Sequence, residues 1–153
     1  MPDKRLKAAV FLTVSASFAA DLLTKQRALT HSCFVSSNSG ISFGLLSEGS
    51  RAAIPPLSFL AVLLLLLSVI YFCRKQAKTE SLASALMLGG ALGNLYDRLQ
   101  RGSVVDWFSA PFVSEISGCR LFMNAADVFI ISGFAVLMLS FLRKTVCGCK
   151  KHK

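Results

Sequence analysis

Residues 54–73 read IPPLSFLAVLLLLLSVIYFC, twenty positions without one charged side chain. About 20 predominantly apolar residues in helical form cross the hydrocarbon core of a bilayer. Lipid therefore accounts for this stretch better than a protein core does. Pro55 and Pro56 fit its first turn, where no amide donor is required. Three more stretches of the same kind lie on either side. Residues 8–24 are apolar except for Asp21, residues 81–98 close on Asp97 and Arg98, and residues 125–142 are apolar except for Asp127. The reading is a single all-α integral membrane domain, 1–153, of four transmembrane helices. The first stretch has the basic start of a secretory signal but no small-x-small cleavage site ahead of a soluble domain, so it is read as a span that stays in place.

Composition agrees. The 153 residues are 54% hydrophobic and only 16% charged, against about 25% charged in soluble domains. The net charge of +9 would suggest nucleic acid in a soluble chain. Here the basic residues stand in short runs between apolar stretches, which points to membrane lipid headgroups and away from nucleic acid. With both termini on the cytoplasmic side, eleven of the 17 lysines and arginines fall inside and six outside, the bias expected of inner loops. The outer loops are then residues 26–51 and 99–124.

This topology gathers the acids. Asp21, Asp97, Asp106 and Asp127 all reach the outer level, and of the five aspartates only Asp3 stands inside. Helix ends that merely carry charge would show Lys and Arg as readily, at both faces. Ionisable groups at membrane depth are costly and mark functional sites. Gly89 and Gly93 lie one turn apart and admit a close helix neighbour. Asn94, Asp97 and Arg98 share a face at i, i+3 and i+4, and the adjacent Asp97 and Arg98 read as an ion pair or hydrogen-bonded scaffold. Asn124 is a good N-cap for the last span, with Asp127 in its first turn. The loop segment Asn38-Ser39-Gly40-Ile41-Ser42-Phe43-Gly44 alternates like short strands about a turn, which predicts a small outer-face β element between helices 1 and 2. Its apolar Ile41, Phe43, Leu45 and Leu46 would rest on lipid.

Several chemistries drop out. The two histidines, His31 and His152, fall on opposite sides, so a histidine zinc site is not expected, and neither a GxSxG elbow nor a P-loop occurs. Cys147 and Cys149 in the basic tail lack a second ligand pair and read as thiols open to lipidation or redox change. Cys33 and Cys119 both fall in outer segments, either paired or free. Paired aspartates need neither metal nor histidine. Like charges at close range cannot both ionise, so one acid stays protonated while the other draws a proton from water.

At these residues the chain resembles the lipoprotein signal peptidases, or signal peptidase II. The matching motifs are Asp21-x-x-Thr24-Lys25, Asn38-x-Gly40-x-Ser42-Phe43-Gly44, Gly89-Gly90-Ala91-x-Gly93-Asn94-x-x-Asp97-Arg98, Gly102-x-Val104-x-Asp106 and Asn124-x-Ala126-Asp127. Their order across four spans makes the resemblance specific. It implies a bacterial inner-membrane aspartyl endopeptidase that needs no cofactor or metal. Such an enzyme removes signal peptides from diacylglyceryl-modified prolipoproteins just before the lipidated cysteine, and globomycin-type lipopeptides inhibit it. The resemblance implies Asp106 and Asp127 as the catalytic pair. It implies Asp21, Lys25, Asn38, Gly40, Asn94, Asp97, Arg98 and Asn124 as binding or supporting residues. Trp107 and Met123 stand where the family usually has Phe, apolar exchanges that leave the chemistry intact. Ser109 stands where an acid is common.

Two rival readings use the same residues. A Ser–Lys peptidase would pair Ser42 with Lys25. A proton-coupled carrier or assembly factor would use the acids as relays, with helices broken near the midplane. The topology carries its own test, labelling of intact cells with a membrane-impermeant thiol reagent. Cys33 or Cys119 should react if unpaired, and labelling of Cys147 or Cys149 from outside would overturn the orientation.

Overall fold

The computed structural model describes residues 3–31, 35–38, 54–109 and 122–149. It is mostly helical: α1 (Lys4–His31), β1 (Ser36–Asn38), α2 (Ile54–Arg74), α3 (Lys78–Arg101), β2 (Val104–Asp106), β3 (Phe108–Ser109), β4 (Phe122–Met123) and α4 (Ala125–Cys149). Every long helix runs unbroken, unlike the interrupted helices expected of a carrier. By length and apolarity α1, α2 and α4 each suffice to cross a membrane. Their outer surfaces look made for lipid: Phe59 is 60% exposed, Leu64 58% and Leu139 55%. In water such contiguous apolar area would drive association.

The helix α3 is different in kind. It is 24 residues long but carries Glu80, Asn94, Asp97 and Arg98, and its buried residues run from Glu80 to Asp97. It packs against each of the other three helices, so its polar groups face protein. Its polarity keeps it apart from the three helices that length and apolarity alone mark as able to cross a membrane. One apolar cluster lies at the end of the bundle where Leu6 and Val10 of α1 meet Val69 of α2 and Ala85 and Leu88 of α3. Ser68 and Ser84 hydrogen-bond across the α2–α3 seam at 3.0 Å.

The α1–α3 seam depends on the two glycines one turn apart. A Cβ on Gly93 would lie 2.2 Å from Asp21 Oδ2, and one on Gly89 would lie 1.8 Å from Ser17 Oγ and 2.7 Å from the Val14 carbonyl. At the end of α3, Gly102 takes φ 73° and its N–H donates to the Arg98 carbonyl at 3.1 Å. This left-handed cap is open to glycine at no steric cost. It turns the chain directly into β2, at whose end Asp106 sits.

A β strand stands where the sequence places one, between α1 and α2, and Asn38 ends it; residues 39–44 lie outside the described residues. This strand, β1, pairs antiparallel with β2, Ser36 opposite Asp106 and Asn38 opposite Val104. A second two-stranded sheet joins β3 to β4, Phe108 opposite Met123. The turn signals in residues 38–44 indicate extended chain; they carry no information on a partner some seventy residues away. Gly40, Ser42, Cys33 and Cys119 lie outside the described residues. The helices also overrun the lipid-length segments, α1 beyond 8–24 at both ends and α4 beyond 142, because hydropathy marks where lipid lies and not where a helix stops.

Gly89→Ala should destabilise the bundle by about 1–3 kcal/mol, the usual range for overpacking a filled seam. Rotation of Ser17 relieves one contact, but the Val14 carbonyl is backbone. Unfolding of the purified protein in a mixed-micelle denaturant titration would measure the loss.

Candidate active site

The last helix begins with a reciprocal cap. Asn124 Oδ1 accepts from the Asp127 N–H at 3.0 Å, and Asp127 Oδ2 accepts from the Asn124 N–H at 3.2 Å. This capping box satisfies two donors that every helix start leaves open. A third is taken by α1, whose Asp21 Oδ1 accepts from the Ala126 N–H at 2.8 Å. Two carboxylates thus sit at the positive end of α4, where negative charge is favoured.

The second acid arrives by sheet pairing. The Trp107 N–H donates to the Met123 carbonyl at 3.0 Å, which fixes Asp106 beside Asn124. Asn124 Nδ2 donates to Asp106 Oδ1 at 2.6 Å and to Asn94 Oδ1 at 3.2 Å. Asn94 Nδ2 donates to Asp127 Oδ1 at 3.1 Å. Asn38 Nδ2, carried on β1, donates to Asp106 Oδ2 at 3.3 Å. Three amides therefore hold the two aspartates.

Behind them lies a buried charge cluster. Lys25 is 1% exposed, and its ammonium touches Asp21 Oδ2 at 2.7 Å and Asp97 Oδ2 at 3.0 Å. It donates to Asn94 Oδ1 at 2.9 Å. Those three partners match the three N–H groups of an ammonium. Asp97 also accepts from the Val105 N–H at 3.2 Å and pairs with Arg101. Of the two expectations for Asp97 and Arg98, the hydrogen-bonded scaffold fits: Arg98 donates to the Asn94 carbonyl at 3.5 Å, and the ion pair of Asp97 is made with Lys25 and Arg101. Successive residues on a helix point in different directions, whereas Asp97 and Arg101 stand at i, i+4. That spacing was readable, and Arg101 is the supporting residue that the motif comparison passes over. Arg98 instead lines the cavity, and its charge attracts Asp127 most, then Asp106, then Asp97.

The cavity measures about 360 Å³, and Asn38, Ser58, Asn94, Arg98, Asp106 and Asp127 supply its polar wall. The rest is apolar: Leu57 and Ala61 come from α2, Ile130 and Ile131 from α4, Phe122 and Met123 from β4. Sequence reasoning missed this wall, since an apolar residue in an apolar span gives no sign of facing a site. Burial is the main reason that the Asp106 carboxyl rises from its ordinary 3.8 to about 6; the Asp127 carboxylate raises it further, and Asn124, Asn38 and Lys25 oppose the rise. Of the expected site residues, Asp21, Lys25, Asn38, Asn94, Asp97, Arg98, Asp106, Asn124 and Asp127 converge here. Lys25 has no N–H left over for a serine, and Ser42 is outside the described residues.

Fold and site together define a membrane-embedded protein whose paired carboxyl groups face an apolar cleft. The chain belongs to the signal peptidase II family: residues 3–143 match the family model described as Signal peptidase (SPase) II. A lipoprotein signal peptidase of Rhodopseudomonas palustris is 38% identical over 110 residues, 69% of this chain. The chain spans just under two thirds of that relative, 65% of its length. A lipoprotein signal peptidase of Aquifex aeolicus is 33% identical over 150 residues, covering 90% of this chain and 88% of its own length. The fold is similar to that of a bacterial membrane enzyme solved by the in meso method at 2.3 Å resolution, with a TM-score of 0.71 at 24% identity over 90% of each chain. A second such structure, at 1.9 Å resolution, gives 0.67 at 23% identity over 88% of this chain and 93% of its own.

Lys25→Met should cost about 3–5 kcal/mol, because it leaves Asp21 and Asp97 buried without their cation. The loss should appear as a lower unfolding midpoint and lower yield from membranes. If Lys25→Met were as stable as the parent, the cluster would not be holding α1 to α3.

Proposed function

We propose that this chain is an aspartyl endopeptidase that removes the signal peptide from diacylglyceryl-modified prolipoproteins just before the lipidated cysteine, with Asp106 and Asp127 as the catalytic pair. The observation that carries the reading is the sharing of one cavity by these two acids, cross-linked by Asn124, with Asp106 held protonated to about pH 6. The chain crosses the membrane four times, both termini are cytoplasmic, and the site lies at the outer face of a bacterial inner membrane. Asp21, Lys25, Asp97 and the amides support the pair, and Gly40 belongs with them by its place in the motif.

The ionised member takes a proton from water as it attacks the scissile carbonyl. The protonated member donates a hydrogen bond to the carbonyl oxygen and later a proton to the leaving amine. Asp127 is the base: it stands in the first turn of α4, where the helix dipole favours its charge by about 0.3–1 kcal/mol. Asp106, buried and away from any helix start, is the acid. Arg98 stabilises the single negative charge that the pair retains. The apolar side of the cavity, between α2 and α4, suits acyl chains and the hydrophobic segment of a signal peptide entering from lipid.

The direct test is the mass of a lipidated prolipoprotein before and after incubation with the protein. Cleavage should be abolished by Asp106→Asn or Asp127→Asn with folding intact, blocked by globomycin, and absent for the unlipidated precursor. Asp97→Asn should harm stability at least as much as turnover; loss of turnover in folded Asp97→Asn with near-normal Asp106→Asn would make Asp97 the partner of Asp127.

The pH dependence follows from the same assignment. The acid form of Asp106 is required, so kcat/KM should fall as pH rises through about 6. Asn38→Ala removes a donor that favours the ionised form and should move this limb to higher pH. A profile flat across that range would contradict Asp106 as the proton donor.

A further inference from the structure

At the end of the bundle opposite the site, α1 and α2 both pack on α3 and leave a groove between them of about 480 Å³. Its floor is Val10, Val69 and Leu88, all buried. Its walls reach the lipid-facing surface at Phe11, 71% exposed, and Ile70, 40% exposed. The apolar stretch rises from Lys7 to Val14 on α1, about 10 Å at 1.5 Å per residue. At its mouth stand Lys7 and Arg74, one on each helix and both exposed, and no acidic residue lines it. The nearby Asp3 carboxylate is engaged by the Arg5 N–H at 3.0 Å.

We propose that this groove is a binding site for one anionic phospholipid of the membrane leaflet at that end of the bundle. The upper part of an acyl chain lies along Val10, Val69 and Leu88, and the headgroup phosphate lies between Lys7 and Arg74. Charge complementarity selects this occupant. A purely apolar partner helix would leave two cations at its edge unmatched, whereas basic pockets between membrane helices suit anionic headgroups. The stems of Lys7 and Arg74 can lie along the groove walls while their charged ends stay at the headgroup level. The lipid would also bridge α1 and α2, which meet chiefly through α3.

The test is native mass spectrometry of the full chain with dioleoyl phosphatidylglycerol or dioleoyl phosphatidylcholine. The parent should retain phosphatidylglycerol over phosphatidylcholine, by about fivefold for each basic side chain that contributes. Lys7→Gln with Arg74→Gln should erase the preference while leaving phosphatidylcholine retention and prolipoprotein cleavage unchanged. Lys4→Gln with Lys78→Gln removes the same charge from residues that do not line the groove, and should keep the preference. Ile70→Trp, which narrows the apolar channel from an exposed position, should weaken retention of both lipids. The proposal is overturned if the parent shows no preference, or if both double variants lose it equally, which would be bulk attraction. It is also overturned if free glycerol phosphate displaces phosphatidylglycerol fully, which would be headgroup capture without a chain.

Discussion

The structure depends on a single buried ammonium. Lys25, almost wholly out of solvent, is shared by Asp21 from its own helix and by Asp97 and Asn94 from α3. Taking one cation and two carboxylates away from water is expensive, and it is tolerated only where every donor and acceptor is matched. These groups are matched in turn by α4 and β2. Asp21 reaches α4 through the Ala126 N–H, Asp97 reaches β2 through the Val105 N–H, and Asn94 reaches Asp127. Moving any one of these elements would strand a charge, so the cluster fixes all of them. The glycine at position 93 is the geometric condition for this, because any side chain there would occupy the space of the Asp21 carboxylate.

The orientation of the amides follows. With its oxygen claimed by Lys25 and by Asn124, Asn94 can only present its N–H groups to Asp127. Asn124 in turn presents its own to Asp106. Hydrogen bonds to the charged form favour that form. At Asp106 these amides are set against burial, and burial prevails, so its carboxyl lies above the ordinary range.

Much of this was legible in the sequence because it is local. The Asn124–Asp127 spacing announces a capped helix start, the Gly89–Gly93 spacing a close seam, and four apolar stretches delimit four helices. The convergence of Asp21, Asp97, Asp106 and Asp127 followed from topology once acids were found at matching helix ends. What was not legible is non-local or is carried by backbone. The pairing of β1 with β2 depends on chain segments far apart, and residues 38–44 say only that the chain is extended. Adjacency in sequence suggested Asp97 with Arg98, yet helix geometry gives Asp97 to Arg101 and turns Arg98 into the cavity. The apolar wall from α2 and α4 is written in the same Leu, Ala and Ile that face lipid, so composition cannot separate the two uses.

The bundle thereby divides its length between two kinds of cohesion. At the site end, where Asp21, Lys25, Asn94 and Asp97 lie, helices are joined by charge and amide as well as by buried apolar residues such as Leu95, Val105 and Ala126. At the other end, Leu6, Val10, Val69, Ala85 and Leu88 form an apolar cluster, with fewer polar joins, such as buried Glu80 with Ser140 and Lys144. Within lipid the second kind gains little from water exclusion, since tails are as apolar as the side chains, and close packing must supply it. The first kind is stronger per contact and more exacting in direction. The cluster around Lys25 is therefore where a small displacement would cost most, since it would leave a buried charge unmatched.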